Sequence, residues 1–189
     1  MSQFRFSAFL TILLGSMLPD LLNKLLAVIA SSPALPYEWK GYLGLAYQVP
    51  WQSLVFGACF SLACSVALGN CVRIGLNEFA AMTLLSPVFY FILMFFLPFL
   101  GIFLPQFLPL GVVFSFAYAF LLALFAQGFL YVELGSPIIL LTAVVGALVS
   151  AADMIPNLPF YPSQGWYLIV GSFMGLFAAR QAALDSPIP

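Results

Sequence analysis

Long apolar runs separated by short polar or proline-containing segments follow one another along the chain. Each run approaches the length of about 20 residues that a helix needs to cross a bilayer core. None shows the period of two that is typical of strands in a membrane barrel. The pattern predicts an all-α bundle of six transmembrane helices, approximately Phe6–Ile29, Gln52–Cys71, Phe79–Phe103, Leu110–Tyr131, Ser136–Ile155 and Trp166–Leu184.

The composition agrees with this pattern. Hydrophobic residues make up 64% of the chain and charged residues 6%, whereas soluble domains carry about 25% charged residues. The mean hydropathy is +1.13. We therefore predict one integral membrane domain over residues 1–189, with the lipid bilayer as its surroundings. The net charge of −1 and the lack of a basic cluster argue against nucleic acid as a partner.

The few basic residues predict an orientation. Arg5, Arg73 and Arg180 fall on one side of a six-helix arrangement, whereas Lys40 falls on the other and Lys24 lies toward it. Because Lys and Arg near helix ends are retained on the cytoplasmic side, we expect both termini to be cytoplasmic. The compact chain and its short loops indicate a bacterial inner membrane.

Aromatic residues gather on the side opposite the arginines. Such residues favour the headgroup region, so we interpret them as an interfacial belt, with a lid over an outward-facing pocket as the alternative. The third apolar run, rich in phenylalanine and containing Tyr90, is predicted to face lipid. The belt comprises Trp39, Trp51, Trp166, Tyr37, Tyr42, Tyr47, Tyr161 and Tyr167.

The N-terminal run has a second interpretation. Arg5, the apolar residues after it and the small residues before Ser31 resemble a secretory signal peptide with its cleavage site. However, Asp20 and Lys24 interrupt the apolar region, where a signal peptide rarely carries charges. We expect the first helix to be retained.

Small residues recur at four-residue spacing in several helices. In lipid such stripes allow close backbone approach and mark helix–helix contacts. They predict that the second, fifth and sixth helices form the packed centre. The stripes consist of Gly57, Ser61, Ser65 and Gly69; of Thr142, Gly146 and Ser150; and of Gly171, Gly175, Ala179 and Ala183, with a weaker set at Ser115, Ala119 and Ala123.

Charged residues inside apolar helices are the main functional signal. Asp20 and Lys24 share one face of the first helix, and Asp153 follows Ser150 near the end of the fifth. Charges within a bilayer usually face protein or water rather than lipid. We hypothesise that these four residues and Asn157 surround one polar cavity that opens outward. The alternative is that each charge only reaches the headgroup region.

A cytoplasmic turn offers a second candidate site. Arg73, Asn77 and Glu78 cluster in a chain that has few polar residues. They could contact a cytoplasmic partner such as an energising ATPase. Alternatively, Glu78 only complements the dipole at the start of the third helix.

Catalysis has little support in the sequence. The chain has no His, so it lacks the commonest general base and metal ligand. Its cysteines at 59, 64 and 71 lack CxxC spacing, and no phosphate-binding or nucleophile motif is present. We predict a non-enzyme without cofactor or metal.

Two functional classes remain. The first is small-solute transport, or a solute-binding membrane subunit with an outward-facing polar cavity. The second is a non-catalytic structural or assembly subunit, which would bind a membrane protein partner or a second copy of the chain. At the level of architecture only, the six helices and longer outer loops resemble small substrate-binding subunits of vitamin transporters; this likeness assigns no residue a role.

Overall fold

The computed structural model describes residues 5–34, 36–38, 40, 51–69, 73–100, 102, 109–156 and 162–184. These residues form helices and connecting turns, with no strand among them. Six of the helices are long and apolar enough to cross a membrane, which confirms the predicted number of apolar helices. The helices are α1 (Phe6–Ser31), α2 (Trp51–Leu68), α3 (Leu76–Leu100), α4 (Leu110–Phe129), α5 (Gly135–Ala152) and α6 (Trp166–Leu184), with a 3₁₀ turn at Pro162–Gly165 before α6.

The six helices pack in a closed ring. Each helix contacts the next one along the chain, α6 returns to contact α1, and α2 also contacts α6 across the ring. Neighbours run antiparallel: the Arg5 N–H lies 3.4 Å from the Ala179 carbonyl oxygen, and Asp20 contacts Leu168. We call the end where α1 begins the Arg5 end, and the end where α6 begins the Trp166 end.

Glycines lie where helices cross. A Cβ added to Gly57 would stand 2.6 Å from the Met82 carbonyl oxygen of α3. One added to Gly146 would stand 2.6 Å from the Ala119 Cβ of α4. Such positions bring helix backbones close enough for extensive van der Waals contact, which drives helix association in lipid.

The α1–α6 crossing uses two further glycines of the predicted stripes. A Cβ at Gly171 would collide with the Ser16 side chain, and one at Gly175 would stand 2.8 Å from an Ile12 side-chain carbon. By contrast, Gly69 lies exposed in the turn after α2, where an added Cβ would meet only its own helix.

Serines of the α2 stripe differ in their surroundings. Ser61 is buried and donates a 2.5 Å hydrogen bond to the Gly57 carbonyl oxygen of its own helix. Ser65 is half-buried.

Burial differs strongly among the helices. Half of the apolar segment of α2 (50%) and of α6 (56%) is buried, against 28% for both α1 and α5. The most enclosed helices are therefore α2 and α6, whereas α5 is as little buried as α1. The predicted packed centre is wrong in this respect, because α5 makes its closest contacts on one side, with α4.

The third helix faces mostly outward. Only 11% of its apolar segment is buried, and Phe91, Phe95 and Phe99 are exposed. Tyr90 is an exception: it is half-buried and packs on Phe114 of α4, with ring centroids 5.0 Å apart. The lipid-facing interpretation is therefore wrong for Tyr90.

Candidate solute-binding cavity

A cavity of about 160 Å³ lies inside the ring toward the Trp166 end. All six helices and the 3₁₀ turn contribute side chains to it. Ligand sites in helical bundles are typically built from facing helices in this way. The lining residues are Asp20, Asn23, Gln52, Tyr90, Phe114, Ser115, Tyr118, Ser150, Gln164, Trp166 and Tyr167.

Aromatic rings form much of the cavity wall. Trp166 stacks on Tyr118 with centroids 5.4 Å apart, and Tyr90 meets Tyr118 edge-on at 5.5 Å. Tyr167 meets Trp166 edge-on at 5.2 Å. These separations are those of favourable aromatic pairs. The rings therefore support one another within the cavity wall.

The Tyr118 hydroxyl group is anchored at the base of this wall. It lies 3.0 Å from the Ser86 Oγ atom of α3, and both residues are buried. It is also within hydrogen-bonding reach of the Tyr167 and Ser53 side chains. Buried polar networks that are internally satisfied hold side chains in fixed orientations. The tyrosines of α4 and α6 are thereby tied to α2 and α3.

Asp20 joins α1 to the start of α6. Its Oδ2 atom accepts a 2.9 Å hydrogen bond from the Leu168 N–H, and the Tyr167 N–H interacts with the same carboxylate. Because α6 begins at Trp166, these N–H groups belong to its first turn and have no partner within the helix. Asp20 thus acts as an N-terminal cap supplied by another helix, and a negative charge there complements the helix dipole.

Two further hydrogen bonds connect α4, α5 and α6 beside the cavity. The Trp166 indole N–H donates to the Gly146 carbonyl oxygen at 3.1 Å. The hydroxyl groups of Ser115 and Ser150 lie 2.5 Å apart. Gly146 therefore has two roles: its lack of a Cβ allows the close α4–α5 crossing, and its carbonyl oxygen orients the Trp166 indole.

One residue of the cavity lining has a buried polar atom without a partner. The Asn23 Oδ1 atom is buried and accepts no hydrogen bond from the part of the chain that the structure describes. Asn23 lies one turn beyond Asp20 on α1, and both line the cavity. A buried acceptor without a partner is costly, and this oxygen is enclosed by protein atoms rather than exposed to the cavity.

The structure brings together only part of the set predicted from the sequence. Asp20 and Ser150 line the cavity. Lys24 is exposed, and Asp153 is half-buried in the turn just after α5; neither is among the described residues that line it. Asn157 lies outside the described residues.

The predicted aromatic belt is wrong for Trp166 and Tyr167. They are buried, with 8% and 6% of their surface exposed, because they pack against Tyr118 rather than against headgroups. Sequence reasoning also missed Asn23 and Gln52. Both are polar residues within apolar helices, and both lie near helix ends on the same side of the bundle. That polarity is the signal that could have indicated them.

The predicted cytoplasmic cluster lies at the Arg5 end, between α2 and α3. Arg73 and Asn77 are exposed, and Glu78 is half-buried in the first turn of α3. A Cβ added at Gly75 would stand 2.6 Å from the Glu78 Oε2 atom, so this carboxylate folds back over the start of the helix.

A second cavity, of about 380 Å³, lies at the Arg5 end beside the α4–α5 connection. Its polar groups are largely satisfied by the protein. Gln181 accepts from the Glu133 N–H at 3.0 Å and donates to the Tyr131 carbonyl oxygen at 2.9 Å, and Gln127 accepts from the Gly135 N–H at 3.0 Å. These bonds hold a backbone that reverses through positive φ at Tyr131 and Gly135. The arrangement is structural.

No known protein family, curated protein or solved structure matches this chain. The cavity at the Trp166 end is therefore the feature from which a function can be inferred.

Proposed function

We propose that this chain is a multi-pass membrane protein that binds a small solute for transport, without catalysing a reaction. One observation carries the proposal: every helix of the ring contributes side chains to a single cavity that combines aromatic rings, a carboxylate and polar amide residues. Polar groups placed inside apolar helices are costly, and in membrane proteins they usually mark substrate pathways.

The proposed orientation agrees with this function. Arg5, Arg73 and Arg180 fall at the Arg5 end, where the rule for basic residues favours the cytoplasm. The cavity near the Trp166 end is then closer to the outer face. A solute could therefore enter from outside, and a bacterial inner membrane is the membrane we propose.

A structural subunit of a larger complex is the alternative function. The outward phenylalanines of α3 favour it, because helices of a partner or of a second copy could pack there. The exposed Arg73 and Asn77 would then contact a cytoplasmic partner. However, contact with lipid explains the same apolar face equally well. The cavity therefore makes solute binding the better-supported of the two functions.

Trp166 provides a direct test, because its ring belongs to the cavity wall. The chain has three tryptophans, so the double variant W39F/W51F leaves Trp166 as the only one. We would reconstitute this variant in nanodiscs and record its emission with a panel of amines, amino acids, sugars, nucleosides and carboxylates. We expect at least one solute to change the emission saturably.

Matched variants connect the signal to the cavity. Tyr90→Ala removes a lining ring and should weaken binding, whereas Phe95→Ala, on the outward side of the same helix, should not. If no solute of the panel changes the emission of the folded protein, the solute-binding proposal fails and the structural alternative becomes the better one.

A further inference from the structure

We propose that the cavity selects a compact organic cation, an ammonium ion with N–H donors, over neutral and anionic molecules of the same shape. This inference depends on the proposed function, because it specifies the solute of the same cavity.

The charge of the lining is negative. Asp20 is the only acidic or basic residue among the described residues that line the cavity. Lys24, one turn farther along α1, attracts the Asp20 carboxylate, but it is exposed and does not line the cavity. Backbone N–H donors favour the charged form of a carboxylate, and a helix N-terminus contributes only about half a positive charge. The cavity therefore retains a net negative character.

The position of Asp20 also disfavours an anionic solute. The start of α6 would otherwise be the natural anion site of this cavity, since its free N–H groups and its dipole point toward negative charge. The Asp20 carboxylate already occupies the Leu168 N–H and interacts with that of Tyr167. An anion would have to approach a carboxylate at a helix end that no longer offers these donors.

Aromatic rings add to the preference for a cation. Tyr90, Tyr118 and Trp166 line the same space as Asp20. The π face of such rings attracts ammonium groups, and the attraction is strongest where water is excluded. A neutral aromatic solute could also stack there, but it would gain nothing from the charge of the carboxylate.

Hydrogen-bonding capacity narrows the class further. The Asp20 carboxylate, with its remaining lone pairs, is the charged acceptor of the cavity lining. A quaternary ammonium ion has no N–H to donate to it. A primary ammonium ion has three, as the side-chain amine of lysine does. The expected solute is therefore a protonated primary or secondary amine attached to a small apolar or aromatic body.

A trio of probes of similar shape tests this inference. Phenethylammonium, 2-phenylethanol and 3-phenylpropionate differ mainly in charge at neutral pH. Titrated into the W39F/W51F protein in nanodiscs, the ammonium ion should bind saturably, at least about tenfold more tightly than the alcohol, while the carboxylate should show no saturable binding.

Two variants identify the source of the selectivity. Asp20→Asn keeps a side-chain oxygen for the Leu168 N–H but removes the charge, so it should weaken ammonium binding about tenfold and remove the preference over the alcohol. Asp153→Asn removes the same charge in the turn after α5, outside the lining, and should leave both affinities unchanged. Circular dichroism and thermal unfolding would confirm that each variant is folded.

The outcomes separate this inference from the proposed function. If the alcohol or the carboxylate binds as tightly as the ammonium ion, or if Asp20→Asn keeps the ammonium affinity, the cation inference is overturned while solute binding stands. The inference is also overturned if none of the three binds but another solute of the broad panel does. If the whole panel fails, both proposals fall.

Discussion

Asp20 and Asp153 show how position changes the role of the same side chain. Both belong to the half of the bundle nearer the Trp166 end, but Asp20 lies between helices and Asp153 in the turn that ends α5. Asp20 contacts the first turn of α6, where N–H groups need an outside acceptor. Its carboxylate therefore has a structural role in addition to the one that we propose in binding.

We expect Asp20→Ala to lower the free energy of unfolding by about 1 to 2 kcal/mol, the usual cost of losing a helix N-cap. Asp20→Asn should cost less, because its amide oxygen can still accept from the Leu168 N–H. SDS titration in mixed micelles, followed by circular dichroism, measures both. Glu38→Ala, which removes an exposed carboxylate, serves as the control. Wild-type stability of Asp20→Ala would show that the cap is dispensable.

At the scale of single residues, the sequence singles out Asp20 but not Trp166 or Tyr90. A carboxylate in an apolar helix is conspicuous because its burial is costly. An aromatic ring is compatible with lipid, with the headgroup region and with the protein interior. The sequence therefore could not show that Trp166 and Tyr90 turn toward the same cavity.

Helix crossings in this bundle depend on where a glycine lies. A Cβ at Gly57 would stand 2.6 Å from the Met82 carbonyl oxygen and 2.9 Å from the Thr83 Cα atom, both of which are backbone. At Gly128, inside α4, a Cβ would meet nothing within 4 Å. The two positions have the same residue type within a helix and differ in their surroundings.

We therefore expect opposite effects from the same substitution. Gly57→Ala should lower the free energy of unfolding by about 1 to 3 kcal/mol, since the backbones of α2 and α3 must separate. Gly128→Ala should leave it unchanged or raise it by up to about 1 kcal/mol through helix propensity. The same SDS titration compares them. Equal effects at the two positions would contradict a close α2–α3 crossing.

Helix number and approximate bounds follow from sequence because hydropathy is a local property of each segment. The inward face of a helix is harder to predict in such a chain. Lipid and protein interior are both apolar, so the contrast that identifies the buried side of a soluble helix is weak. For this reason the small-residue stripes indicated α2 and α6 well, but exaggerated the burial of α5.

The whole ring is what creates the cavity. Asp20 and Trp166 are far apart in sequence, and they line the same cavity because α6 closes the ring against α1. Neither the order of the helices nor their rotation can be read from hydropathy. The sequence therefore predicted a polar cavity but assigned it only two of the residues that line it, Asp20 and Ser150.

Orientation decides whether this cavity can collect a solute from outside. In a bacterial cell we expect Glu38 to be external and Asn77 cytoplasmic, because the arginines fall at the Arg5 end. Both residues are exposed, so each can be replaced by cysteine after the native cysteines at 59, 64 and 71 are changed to alanine. A membrane-impermeant maleimide should label Glu38→Cys in intact cells, and Asn77→Cys only after permeabilisation. The reverse pattern would place the cavity toward the cytoplasm, and labelling of both in intact cells would contradict the six-span arrangement.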